Sequence, residues 1–224
     1  MKTKLYPYFQ VLRRALVRLY IPVFLFLVVV VLINVVGNIP FSRLTRDPIS
    51  LAGLNPLFGI VSNVGVLLWC VAAAVCFFSA ALLAKGTNSN VSKFLFVSGV
   101  LSFFLLIDDF FVIHESMRDY FGIPEDMDYI FYLVYLIFYF IAFRKLILNQ
   151  YTVMLILAFG FLGASATLDI FQELIEYEIP AYFLVEDGLK LIGIASWAGY
   201  FISTAFTHIK QRFSTGVATT VGDG

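Results

Sequence analysis

Charge is the scarcest quantity in this sequence. Asp, Glu, Lys and Arg make up 13% of its 224 residues, against about 25% in a soluble domain. The 15 acids and 15 bases cancel, so no general attraction to polyanions is implied. No basic stripe or nucleic-acid motif occurs, which excludes nucleic acid as a partner. Histidine is nearly absent, with His114 and His208 alone. The two cysteines, Cys70 and Cys76, lie on different faces of one apolar helical run. An intrahelical disulfide is therefore not expected, and both are expected as small buried apolar groups. No G-x-S-x-G elbow, phosphate loop, H-E-x-x-H or paired Glu-x-x-His pattern is present.

What the chain has in excess is apolar surface. Hydrophobic residues reach 61%, with 25 Phe and 12 Tyr. A body this small cannot hide them all, and lipid is the solvent that lets them face outward. A membrane span needs about 20 mostly apolar residues. Six such runs are read at 19–37, 59–84, 92–114, 128–149, 151–174 and 182–207. The expected fold is all-α, a polytopic membrane helix bundle of about six spans, with the lipid bilayer as its first partner. The basic start, residues 1–18, reads as a cytoplasmic amphipathic segment lying on the membrane before the chain turns in. It is not read as a signal peptide, since no A-x-A-like site follows. Residues 19–207 read as one six-span domain, and 208–224 as a flexible cytoplasmic tail.

Orientation follows from Lys and Arg, which gather on the cytoplasmic side. Lys2, Lys4, Arg13, Arg14, Arg18, Lys85, Lys93, Arg144, Lys145, Lys210 and Arg212 share one side under this assignment. Arg43, Arg46 and Arg118 fall on the other. The alternation predicts both termini inside, in a bacterial inner (plasma) membrane. Of the 15 acids, Asp223 lies inside and Asp47 in the first outer loop. The rest lie between Asp108 and Asp187, so the outer face should be negative and attract cations.

One region carries most of the ionisable groups near membrane depth. Span three ends FFLLIDDFFVIHESMRDYFG, with Asp108 and Asp109 inside its apolar stretch. A carboxylate at the centre of a span costs about 2.5–3.5 kcal/mol on insertion scales, so two adjacent ones need a reason. At the helical repeat Asp108 and Glu115 share a face, Asp109 lies about 100° to one side and His114 about 120° to the other. Span five ends SATLDIFQELIEYEIP, where Asp169, Glu173 and Glu176 form one stripe. Span six begins YFLVEDGLKLIGIASW, with Glu186 and Asp187 preceding Lys190. A lysine at that depth should pair with a carboxylate or reach toward the interface. The topology brings these three helix ends to one leaflet. A cation- or proton-binding site built from Asp108, Asp109, Glu115, Asp169, Glu173, Glu186 and Asp187, with Lys190 as counter-charge, is the leading expectation. Small residues at Gly160, Gly163, Ala164, Gly193, Ala195 and Gly199 predict close helix packing in spans five and six. Trp197 and Tyr200 are expected in packing or anchoring.

Two other readings stand beside it. His114 with nearby carboxylates has the ligand types for a divalent cation, which would suit a metal-dependent intramembrane hydrolase. The run IDDFFVIHE resembles the acidic and histidine-containing segment of membrane hydrolases related to alkaline ceramidases and progestin receptors. That resemblance implies a zinc site of several histidines, including a pair four apart in the last span. With only His114 and His208, expected on opposite sides, a three-histidine site is excluded. The third reading is a non-catalytic accessory subunit, whose aromatic surface would meet a membrane-complex partner or further copies in a homo-oligomer.

Overall fold

In lipid a segment must satisfy its backbone internally, so long apolar runs without breakers become helices. The computed structural model describes residues 5–84, 89–113, 126–172 and 181–221, and among these it contains eight helices and no strand. In chain order they are α1 (Leu5–Gly37), α2 (Phe41–Thr45), α3 (Pro48–Ala52) and α4 (Ile60–Leu83). Then follow α5 (Ser89–Phe111), α6 (Asp126–Ile147), α7 (Thr152–Ile170) and α8 (Tyr182–Val221). The chain divides into two units, Met1–Phe58 and Gly59–Gly224.

In the first unit, α1 is one helix of 33 residues, about 50 Å long at 1.5 Å per residue. The separate surface segment expected before residue 19 is not set off by a break. Arg13 to Arg18 carry no helix-stop residue, so the helix continues into the apolar run. Pro22 lies inside the helix and removes one backbone bond. The large apolar side chains from Leu16 to Val36 are exposed almost throughout. Helix α3 is bounded by local chemistry. The Asp47 side chain accepts the Ser50 N–H at 2.9 Å, Pro48 opens the helix, and Gly53 closes it at φ +64°.

The second unit is a bundle in which α4 packs along α5 and α8, and α8 packs along α7. Small residues permit the close approaches. A Cβ at Gly99 would stand 2.9 Å from Phe77 and 3.2 Å from Cys76. One at Gly193 would meet Leu162 at 2.7 Å on the side chain and 3.0 Å on the backbone nitrogen. Gly160 and Gly163, expected to do the same, are exposed with nothing within 4 Å. Gly65 and Gly99 carry the contact on α4 and α5 instead. Helix α6 is joined to its neighbours through rings. Phe94 meets Tyr139 at 6.0 Å and Phe143 at 5.4 Å, and Phe140 meets Phe159 at 5.3 Å. Phe94, Trp197, Tyr200 and Phe201 are fully buried at the centre.

Among the described residues, five stretches are long and apolar enough to cross a membrane: Leu16–Gly37, Ile60–Leu83, Ser89–Phe111, Thr152–Ile170 and Tyr182–Ser214. They fall on five of the runs read from sequence. The sixth run, 128–149, is helix α6, of 22 residues. Helix α8 continues through 208–221, the stretch expected as a tail, because nothing there stops it at residue 207. The protein is all-α and integral to the membrane.

Candidate functional site: an inter-helix carboxylate–lysine pair

The last turn of α5 presents Asp108 and Asp109 in different directions, as adjacent helical residues must. Asp109 turns toward α4 and α8. Its Oδ1 lies 2.8 Å from Lys190 Nζ, and its Oδ2 accepts the indole N–H of Trp69 at 2.8 Å. Asp108 turns toward α6, where its Oδ2 accepts the Tyr132 hydroxyl at 2.9 Å. Four helices therefore meet at two adjacent residues. The Asp109 side chain is 11% exposed and that of Lys190 35%. Each acceptor oxygen of Asp109 has a charged or polar donor, which is what makes burial of the charge tolerable.

Beside the pair is a cavity of about 10 Å³ bounded by Ser62, Gly65, Asp109, Asp187, Lys190 and Ile194. That is room for about one water molecule or a bare ion, and not for an organic substrate. Asp187 and Asp108 also act electrostatically on Lys190. Asp109 and Asp187 thus bound the cavity beside one ammonium, leaving it negative. Just beyond the end of α5, Val112 has a φ of +52°, strained for a β-branched residue.

The expected site residues divide as follows. Asp109, Asp187 and Lys190 come together at the cavity, while Asp108 turns to Tyr132 on α6. Lys190 pairs across the bundle with Asp109. Glu186 is half-buried on α8 and does not bound the cavity. Asp169 is exposed at the end of α7 and does not bound it either. His114, Glu115 and Glu173 lie outside the described residues. Among the described residues, no three His, Cys, Asp or Glu side chains gather as metal ligands would. Sequence reasoning missed Trp69 and Tyr132. Trp69 was legible in principle, since an indole N–H in mid-span must find an acceptor.

Below the pair, polar groups continue through the core. Trp69 meets Trp197 edge-on, with centroids 5.8 Å apart. The Trp197 N–H donates to Ser102 Oγ at 3.0 Å, and Ser102 donates to the Ser98 carbonyl at 2.9 Å. Ser98 donates to the Phe94 carbonyl at 2.7 Å and takes the Tyr139 hydroxyl at 2.6 Å. Further on, the Asn149 amide donates to the Tyr200 hydroxyl at 3.0 Å and to Thr204 Oγ1 at 3.3 Å. There a second cavity opens, of about 250 Å³, bounded by Asn149, Tyr151, Thr204, Thr207, His208 and Gln211.

An all-helical membrane bundle with an inter-helix carboxylate–lysine pair near one end defines the class of protein. The chain belongs to the family described as Domain of unknown function (DUF8692), which matches residues 21–204. That stretch contains Trp69, Asp109, Lys190 and Trp197, and ends before His208. No curated protein and no solved structure matches the chain.

Proposed function

We propose that this is a six-span membrane protein of a bacterial inner membrane, with both termini cytoplasmic, whose Asp109–Lys190 site binds a monovalent cation or proton from the outer side. The observation that carries the reading is the 2.8 Å pair between Asp109 and Lys190 at membrane depth, against a water-sized cavity. An ionisable pair within a span costs too much to be incidental, and such groups mark ion and proton sites. A second carboxylate, Asp187, bounds the same cavity and gives it an excess of negative charge over the one ammonium. Lys190 supplies the cation when the site is empty. An incoming cation takes its place on Asp109, and an incoming proton neutralises Asp109 and releases the ammonium.

The protein carries its own reporter. Its two tryptophans are Trp69 and Trp197, one hydrogen-bonded to Asp109 and the other in ring contact with the first. Intrinsic fluorescence of the purified protein in mild detergent should therefore change on titration with sodium or potassium at fixed pH, or with acid at fixed salt. The Asp109→Asn variant should abolish the response. A spectrum that stays flat in both titrations, in folded protein, refutes the site.

A further inference from the structure

We infer that the site is the outer end of an occluded cation route, which runs along α8 to the second cavity and is closed by the Trp69–Trp197 pair. The inference rests on the cation site proposed above and adds transport to binding.

Lys190 and His208 are eighteen residues apart on α8, about 27 Å at the helical rise. That is close to the roughly 30 Å of a bilayer's hydrocarbon core. Lys190, Trp197, Thr204 and His208 recur at spacings of seven, seven and four. They therefore lie on one face of the helix. Beside the stripe Ser102 takes the Trp197 N–H, and Ser98 and Tyr139 continue from it, polar groups where a lipid-adapted core has no need of polarity. Ser98, Ser102 and Tyr139 occupy the middle, and all three are buried. Each end of the stripe opens into a cavity.

The column is closed in its present state. Trp69 is 2% exposed and Trp197 1%. Phe159 and Phe201 press on Trp197 at 5.7 and 5.0 Å. The chemistry of the plug also decides what could pass. An indole N–H donates and cannot accept, so it cannot hand on a proton. The hydroxyl protons of Ser98 and Ser102 point to backbone carbonyls of their own helix. A proton wire through this arrangement is broken at both tryptophans. Passage requires the indoles to move aside and let an ion, carried by hydroxyl oxygens and water, reach the Asn149–Thr204 end. Among the described residues, nothing in the lower half bears a negative charge along the stripe. Selection for a cation is therefore set at Asp109 and Asp187.

The test separates transport from binding. Wild-type, Trp197→Ala and Trp197→Ala/Asp109→Asn proteins are reconstituted in vesicles loaded with a potassium- or sodium-sensitive dye. The fluorescence titration is run on wild type alongside. Removing the Trp197 indole should raise cation entry several-fold over wild type, and the added Asp109→Asn should return it to the level of protein-free vesicles. If Trp197→Ala does not purify as a monodisperse species, Trp69→Phe replaces it with the same expected direction, since it frees Asp109 from the plug. Vesicles that stay tight with folded variants, while cations still move the wild-type fluorescence, overturn the route and leave the site standing. A leak unaffected by Asp109→Asn also overturns it. A wild-type protein silent to cations and acid overturns the site itself.

Discussion

At the scale of single residues, the pair at Asp109 obeys a rule of asymmetry. Removing one partner of a buried ion pair leaves the other charge uncompensated, at about 3–5 kcal/mol, while replacing both can be neutral. Lys190 keeps 35% of its side chain exposed, so Lys190→Met should cost less, about 2–3 kcal/mol. Unfolding in mixed SDS micelles measures this, and the double variant with Asp109→Asn should recover most of the loss. If the double variant is no better than the single, the pair is not the coupled unit described. Val112 offers a prediction of the opposite sign. Its φ of +52° suits Asn or Gly and strains valine, so Val112→Asn should stabilise by about 1 kcal/mol. Of the residues at the site, Asp108, Asp109 and Lys190 were legible because charge in an apolar run is conspicuous. Tyr132 was not, because an aromatic residue among 39 Phe, Tyr and Trp carries no local mark, and Trp69 was marked only by an indole N–H that had to find an acceptor.

Between helices, the decisive quantity is how closely backbones approach. Gly193 lies where a Cβ would collide with the Leu162 backbone nitrogen at 3.0 Å. Backbone cannot swing away as a side chain can. Gly193→Ala should therefore cost about 1–3 kcal/mol by overpacking and loosen α8 from α7. Gly160 has nothing within 4 Å, so Gly160→Ala should be neutral or gain up to about 1 kcal/mol from helix propensity. A measured cost at Gly160 equal to that at Gly193 would show that the exposed face also packs against something. The sequence marked both glycines alike, because spacing reports periodicity and not which face has a neighbour. It also missed Gly65 and Gly99, which have no second glycine within four residues.

For the whole molecule, the parity of membrane crossings fixes where the termini lie. Five crossings put them on opposite sides, and six put them together. Helix α6 decides between the two. Its apolar length and its basic end at Arg144 and Lys145 argue that it crosses. Tags at each terminus should both be protected from protease in sealed right-side-out vesicles, and an exposed C-terminal tag would remove α6 from the membrane. Beyond its apolar part, α8 reaches back to α4, where Arg212 donates to the Leu82 carbonyl at the end of that helix. That carbonyl has no partner of its own within α4.

The sequence by itself determined the class of protein, the positions of its apolar helices and the end of the bundle where charge collects. These follow from composition and from the length of runs, which the bilayer reads directly. Only the tertiary structure decided that Lys190 pairs with Asp109 across the bundle, that Asp169 does not bound the cavity, and that two tryptophans lie under the pair. Those facts depend on how helices are rotated about their own axes against one another. In a chain so uniformly apolar, lipid and core look alike from sequence, and packing alone distinguishes them.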